Sequence, residues 1–593
     1  MVGNPNDVKG VGCRWTGPSA EIRGLTPISD GCQGGSPPSD HASSVAIARI
    51  SVESRRCSIV SEVNRRGFVG GAAVLGGTAV LGLGMPSKAG AQELGPVRIA
   101  PNDPRYGDLA IRRTNQRFDA RPEYFHVVGS TEQVEKAVEE AVKAGKRVTV
   151  RSGGHCYENF VGDGAQVVID MCEMSEVYFD DERGAFAIEA GATLMQVYRT
   201  LYLGWGVTIP GGQCGGVAAG GHIAGGGYGQ HSRRLGSVVD YLHAVEVVVV
   251  DRSGRARTTV ATRNPSDPDH DLWWAHTGGG GGNFGVVTRY WMRDPQAKGK
   301  DPRKLLPKPP PALLVCHPAW SWSDMTEESF TTLLRNHGEW HERNSSPRSP
   351  YAGLWSSLIV QSRVQGAEPG GMILPTMMDA SVPNPERLLT EYFAALTRGV
   401  KAQGYIPPVQ RLPWYHAVST QALGADQESG RFKAKSAQMR RRFTDRQLRV
   451  AYDHLSVAGP ASSSGVLLLA SYGGRVNTVA PGATAVAERD SILKALYVGS
   501  WTEGEGAERI AWVRRFYRAM YADTGGVPVP GGANGGAYIN YPDIDLADPA
   551  WNTSGVPWST LYYGGNYPRL QRAKARWDPR GVFRHALSVR PTR

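Results

Sequence analysis

Apolar residues recur along this chain with two different periods, and each period predicts a different element. Val134, Val138, Ala141 and Val142 repeat at helical spacing. They follow Ser130-x-x-Gln133, a pattern whose hydroxyl and amide reach first-turn N–H groups as a capping box, and they end at Gly145. Apolar runs of strand length flank this helix at Val127–Val128, Arg147–Arg151 and Val167–Asp170. Val245–Asp251 is almost unbroken valine before a turn at Arg252-Ser253-Gly254, which predicts a strand covered on both faces. Farther along, the spacing predicts a helix over Glu327–Arg343 and a strand over Val466–Ala470. Between these halves, Leu-Leu-Pro-Lys-Pro-Pro-Pro at Leu305–Pro311 interrupts regular structure, because proline has no N–H to donate, and a domain boundary is expected there. No repeat of 20 to 50 residues is visible. Mixed strand and helix units make the class α+β.

Composition narrows the picture. The 593 residues are 41% hydrophobic and 20% charged, enough apolar material for a sizeable core; at roughly 150 residues per domain the length suits about four units, which large enzymes often merge into two. The 74 glycines and 39 prolines assign much of the chain to loops and close backbone approaches and exclude a coiled coil. Lysine plus arginine number 66 against 55 aspartate plus glutamate, a surplus too small and dispersed to mark a nucleic-acid binder, so no such partner is expected. The cluster Arg431, Lys433, Lys435, Arg440, Arg441 and Arg442 reads as a solvated helix surface, with binding of an acidic sugar as the alternative. None of the seven cysteines forms a C-x-x-C pair, so no zinc ribbon or thioredoxin-like site is available and no metal is expected. Hydrolysis has no signature either: the chain contains neither G-x-S-x-G nor H-E-x-x-H.

Arg65-Arg66-Gly67-Phe68 opens an 18-residue stretch, Gly67–Gly84, of mostly glycine, alanine, valine and leucine, and Ala89-Gly90-Ala91 follows as a small-x-small cleavage site. With seven glycines the stretch is weakly apolar, which favours a twin-arginine export signal over a transmembrane anchor. The export machinery is then a partner, the mature protein has no stable membrane span, and the expected location is secreted or cell-envelope, with the cytoplasm as alternative. Residues 1 to about 60 show no periodicity and read as a disordered extension.

Two segments are dense in glycine. Gly211–Gly229 holds ten glycines in nineteen positions, and Thr277–Gly285 holds a second run. Glycine costs about 1 kcal/mol in a helix interior, so such density is tolerated mainly where backbone lies against something large and flat; the competing reading is flexible linker. Gly280–Gly285 formally spells G-x-G-x-x-G, but a dinucleotide fingerprint opens a helix, whereas Val286–Trp291 continues as a strand.

Four motifs in order carry a resemblance. Arg151-Ser152-Gly153-Gly154-His155, then Cys214-Gly-Gly-Val-Ala-Ala-Gly-Gly-His222 with Gly-Gly-Gly-Tyr228-Gly, then Asp271-Leu-Trp-Trp through Asn283-Phe-Gly285, then Tyr538-Ile-Asn-Tyr541-Pro-Asp543 together resemble the berberine bridge enzyme group of the vanillyl-alcohol oxidase flavoprotein family. Within the group, the phrasing around Cys214 and Trp273-Trp274 is similar to actinobacterial members that oxidise sugars or tailor glycosylated antibiotics. The likeness spans roughly residues 98 to 590 and implies FAD attached covalently through His155 and Cys214. It further implies cofactor contacts from Arg151, Ser152, Gly153, Gly154, Gly215, Gly216, Gly220, Gly221, His222, Gly225, Gly226, Gly227, Asn283, Gly285 and Tyr541. Taken alone, a single histidine or cysteine is more often a packing residue, although an imidazole and a thiolate are the nucleophiles able to add to an electron-poor ring. The implied layout is a leader at 1–91, a two-part FAD-binding domain at 92–305, a substrate domain with a large antiparallel sheet covered by helices at 306–544, and a return to the FAD domain at 545–593.

The family's chemistry implies hydride transfer to the flavin from a hydroxylated small molecule, a sugar or oligosaccharide, with oxygen as second substrate. Oxidative tailoring of a polyketide, alkaloid-like or glycopeptide metabolite is the second reading. The second tyrosine of Tyr-x-Asn-Tyr, Tyr541, maps onto the base that takes the hydroxyl proton, and Tyr228 lies across the substrate. A phenol of pKa about 10 needs a cation or a donating partner to act as a base near neutral pH. If the 538–541 segment is extended, Tyr538 and Tyr541 point to opposite faces and at most one meets the substrate. Val217, three residues after Cys214, occupies the family's oxygen-gating position, where valine favours an oxidase.

Overall fold

A computed structural model describes residues 95–365, 371–422, 430–459, 462–504 and 506–592. The stretch expected to be a twin-arginine signal, with its expected cleavage site, lies outside the described residues. Ser130 caps the helix Thr131–Lys143 by accepting the Gln133 N–H, while Gln133 Oε1 accepts the Gly129 N–H at 2.8 Å, so half of the expected box forms. The helix is the crossover that parallel strands require. It joins Tyr124–Val127 to Val148–Arg151 in a four-stranded sheet ordered Val97–Ile99, Tyr124–Val127, Val167–Asp170, Val148–Arg151.

The valine run becomes Leu242–Val250, held antiparallel between Val286–Met292 and Ala256–Thr262 in a five-stranded sheet. Its alternate residues feed two cores. Val248 and Val250 meet the Thr131–Lys143 helix and the small sheet, whereas Val245, Val247 and Val249 join the main core. That is why Val247–Val250 is apolar on both faces; Glu246, the polar residue within the run, accepts from Thr131 Oγ1 at 2.8 Å.

Residues 312 to 536 build an eleven-stranded antiparallel sheet that includes Leu354–Gln361, Arg431–Met439, Ser463–Ser471 and Leu493–Trp501. Helix Ala507–Met520 packs on it, and Asp445–Leu455 links that helix to Glu327–Arg343, which Thr326 caps. The chain then returns to the second glycine run: the Tyr563 hydroxyl donates to Gly279 O at 3.0 Å, Lys574 Nζ to Asn283 O at 2.6 Å, and the Val589 N–H to Asn283 Oδ1 at 3.0 Å. Among the described residues, no helix is long and apolar enough to cross a membrane.

The structure corrects the sequence reading in one place here. Arg431–Met439 is a strand, not a helix surface, and Lys433 and Lys435 are buried at 1% and 2% exposure. Carboxylates remote in sequence, Glu158, Asp543 and Asp545, surround them, and no local pattern announces that. The first glycine segment also contains a short helix, Ala219–Ala224. A Cβ on Gly220 would collide with Ser152 Oγ and stand 3.0 Å from Ala190 O, so close packing, not local propensity, sets the residue.

Candidate functional site

A cleft of about 320 Å³ runs between the glycine segments and the large sheet. Strand Val148–Arg151 delivers Ser152–His155 to its wall, and the turn before Ala219–Ala224 delivers Cys214. These two turns touch: a Cβ on Gly153 would stand 2.7 Å from Ala218 N. His155 Nδ1 and Thr114 Oγ1 are 2.8 Å apart, and the Thr114 N–H donates to Gly154 O at 2.9 Å, which orients the imidazole. Neighbouring Cys156 also lines the cleft, but burial pushes its thiol up to about 12, leaving it an unreactive neutral group.

Of the residues singled out from the sequence, Arg151, Ser152, Gly153, Gly154, His155, Cys214, Gly220, Gly221, His222, Asn283, Gly285, Tyr228, Tyr538 and Tyr541 line the cleft, as does Val217. Gly215, Gly216, Gly225, Gly226 and Gly227 stand outside that lining. Gly225 packs on the Asn540 side chain, Gly226 with φ +78° on Val486, and Gly227 on the His222 ring, while Gly215 and Gly216 form the turn after Cys214. Arg151 belongs to the scaffold: its Nε donates to Asp170 Oδ2 at 2.8 Å and its Nη1 to Leu109 O at 2.7 Å. Asn283 likewise spends its amide on Gly279 O and Gly280 O. His222 Nε2 accepts the Gly212 N–H at 3.0 Å, and burial lowers its pKa to about 4, so it is neutral.

Two glycines behave differently. A Cβ on Gly221 would meet no protein atom within 4 Å, and one on Gly281 would meet only the Gly221 Cα, at 3.9 Å. Neither has positive φ, so the protein itself does not demand glycine there; the space they leave faces the cleft. A flat ring system laid against the backbone, such as a flavin's, fits that cradle, and His155 and Cys214 line the same cleft.

The cleft also holds a cluster of tyrosines, Tyr157, Tyr228, Tyr538 and Tyr541. The Tyr541 N–H donates to Tyr538 O at 2.9 Å, closing a turn, so the segment is not extended and both rings face the cleft, 5.0 Å apart and edge to face. The condition for opposite faces is therefore not met: a turn hydrogen bond replaces the strand's alternation, and both rings reach the cleft. Their hydroxyls differ in use. Tyr538 donates to Gly226 O at 3.1 Å and accepts from Asn540 Nδ2 at 3.0 Å, whereas the Tyr541 hydroxyl lies 3.2 Å from that of Tyr228. Burial, reinforced by the Tyr541 phenol, holds the Tyr228 pKa well above 10 and keeps it protonated.

Sequence reasoning missed Tyr157 and Lys494. The Tyr157 ring stacks on Tyr541 with centroids 5.2 Å apart and an interplanar angle of 4°. Lys494 Nζ sits 3.5 Å from the Tyr538 ring centroid and 4.3 Å from those of Tyr228 and Tyr472. Burial draws its pKa well below 10.5 and nearby Glu488 opposes that shift. One signal for Lys494 exists in the sequence, a lone charge inside the apolar run Ile492–Val498; Tyr157 has none beyond lying two residues after His155.

Comparison with known proteins agrees with this geometry. Residues 122–259 match the model of an FAD binding domain, and residues 537–590 that of berberine and berberine-like proteins. An aclacinomycin-N/aclacinomycin-A oxidase from Streptomyces galilaeus is 49% identical, covering 90% of this chain and 99% of that protein. A hexose oxidase from Chondrus crispus is 30% identical over 83% of this chain and 94% of its own. Among solved structures, a glycopeptide hexose oxidase complexed with teicoplanin is 53% identical and superposes with a TM-score of 0.81, covering 84% of this chain and 99% of that one.

Proposed function

The chain belongs to the berberine bridge enzyme-like FAD-linked oxidoreductases, and on that premise we propose that it oxidises a sugar hydroxyl to a carbonyl, with FAD held covalently by His155 and Cys214 and oxygen reduced to hydrogen peroxide. The observation that carries this reading is the Tyr228–Tyr541 hydroxyl pair, 3.2 Å apart in the cleft that His155 and Cys214 also line. When bound, FAD supplies the hydride acceptor and the route for electrons to oxygen.

The chain's own residues do the rest. Tyr541 takes the substrate hydroxyl proton as general base. Tyr228, kept protonated, donates to the Tyr541 oxygen and so favours its phenolate. Lys494 packs against the Tyr228 ring, with Nζ 4.3 Å from its centroid, and helps hold that ring in place. Tyr538, its hydroxyl committed to backbone and Asn540, shapes the wall without moving a proton. Val217, at the cleft beside Cys214, leaves oxygen a path. This reading assigns residues 92–305 and 545–593 to flavin binding and 306–544 to the substrate.

A second reading, oxidation of a sugar on a larger apolar metabolite, draws support from the apolar side chains Trp355, Leu468 and Ala470 that the large sheet adds to the cleft. The test is anaerobic bleaching of the flavin, with peroxide release in air, against simple sugars, oligosaccharides and glycosylated aromatic or peptide metabolites. Bleaching by the simple sugars supports the first reading and bleaching by the glycosylated metabolites alone the second; none from any class sinks both. We also assign Arg65-Arg66 to twin-arginine export. Lysine at both positions then retains the enzyme in the cytoplasm, and unaltered export of that variant refutes the assignment.

A further inference from the structure

The buried charges on strand Arg431–Met439 have no part in the proton chemistry, yet they lie directly behind it. Lys433 Nζ reaches Glu158 Oε1 at 2.5 Å and Asp543 Oδ1 at 2.6 Å. Lys435 Nζ reaches Asp543 Oδ2 at 2.6 Å and Asp545 Oδ2 at 2.7 Å. Arg117 closes one end on Glu158 at 2.9 Å and Arg514 the other on Asp545 at 2.7 Å. Glu158, Asp543 and Asp545 are 4%, 1% and 2% exposed. Such networks are seldom more stable than apolar packing of the same volume, so stability alone does not account for one this large, and register is their better-attested use.

The two carboxylates joined by Lys433 belong to the segments that carry the stacked tyrosines. Glu158 follows Tyr157 directly, and Asp543 lies two residues after Tyr541. The same strand holds both segments by neutral contacts as well. Asn115 Nδ2 donates to Tyr157 O at 2.8 Å and to Phe432 O at 3.0 Å, the Phe432 ring meets Tyr157 edge-on at 5.1 Å, and Ser436 Oγ donates to Tyr541 O at 3.4 Å.

We propose that Lys433 is a positioning residue: by bridging Glu158 and Asp543 it sets the Tyr157–Tyr541 stack and so fixes where the Tyr541 hydroxyl stands beside Tyr228. This rests on Tyr541 being the base. A misplacement of about 1 Å can cost on the order of 100-fold in rate, so a rigid ionic bridge matters even though it touches no substrate.

The test uses the flavin-loaded enzyme with 3-fluorotyrosine at position 541, whose ¹⁹F resonance reports the stacked ring without needing a substrate. K433M/E158Q removes one charge of each sign and leaves no unpaired carboxylate, and D543N is an isosteric second variant should the double variant not fold. Acid-stable flavin content and thermal midpoint show that each is folded and loaded. The expected result is a shifted, broadened fluorine resonance and, with the most active sugar of a glucose, cellobiose and maltose panel, a kcat lowered about 100-fold by K433M/E158Q with KM little changed. An unmoved resonance in a folded, loaded variant overturns the proposal. If wild-type enzyme bleaches with no candidate substrate, the oxidase reading fails while the fluorine measurement still judges the bridge.

Discussion

Replacing Gly221 with alanine separates what the fold needs from what the cofactor needs. The added methyl meets no protein atom within 4 Å, and the residue lies inside helix Ala219–Ala224 without positive φ. Helix propensity then predicts that flavin-free G221A is more stable than wild type by up to about 1 kcal/mol. The same methyl projects into the cradle shared with Gly281. Overpacking of a fitted contact costs about 1–3 kcal/mol, a loss of roughly 5- to 150-fold in the reversible binding that precedes covalent capture. The assay is flavin-depleted protein incubated with FAD, scored by flavin that stays with acid-precipitated protein and by the thermal midpoint of the flavin-free sample. G225A is the contrast: its methyl would overlap the Asn540 side chain, which donates to His222 O and the Tyr538 hydroxyl, so that variant loses stability before any cofactor is added. Uptake of FAD by G221A at the wild-type rate and affinity refutes the cradle.

Three further outcomes follow from the site. Y541F retains acid-stable flavin while anaerobic bleaching slows by about 10²- to 10⁴-fold, the usual worth of a general base; a smaller loss returns the residue to a packing role. V217L slows reoxidation by oxygen while leaving bleaching by substrate intact, and equal reoxidation traces for the two proteins sink the gating assignment. Glu488 supplies the pH dependence. Burial raises its carboxyl pKa from 4.5 to about 7; Oε2 has no hydrogen-bond partner, and Arg440 stands 3.6 Å away. Between those pH values the folded state keeps a proton that the unfolded chain has lost, so stability falls as pH rises, by about 3 kcal/mol in all. E488Q cannot ionise, so its thermal midpoint gains on wild type from pH 4.5 to 7.5; a difference independent of pH contradicts the assignment.

Much of the local structure was legible in the chain because it depends on neighbours in sequence. The Ser130 cap, the helix ending before Gly145, the valine strand and the helix at Glu327–Arg343 all follow from period and short-range hydrogen bonding. So does the strand after Gly285, which excluded a dinucleotide loop. The motifs also marked most of the residues that line the cleft. What each side chain does there is a different matter, because ionisation and reach are set by groups that arrive from elsewhere. Tyr228 and Tyr541 are 313 positions apart and meet only when the final segment returns across the glycine runs. Lys433 and Lys435 look like surface charge until three distant carboxylates enclose them, and burying those ammonium groups without such partners would be prohibitive. Glycine density suggested something flat alongside the backbone; folding decided that Gly225 serves the packing of Asn540 and that Gly221 is left facing open space.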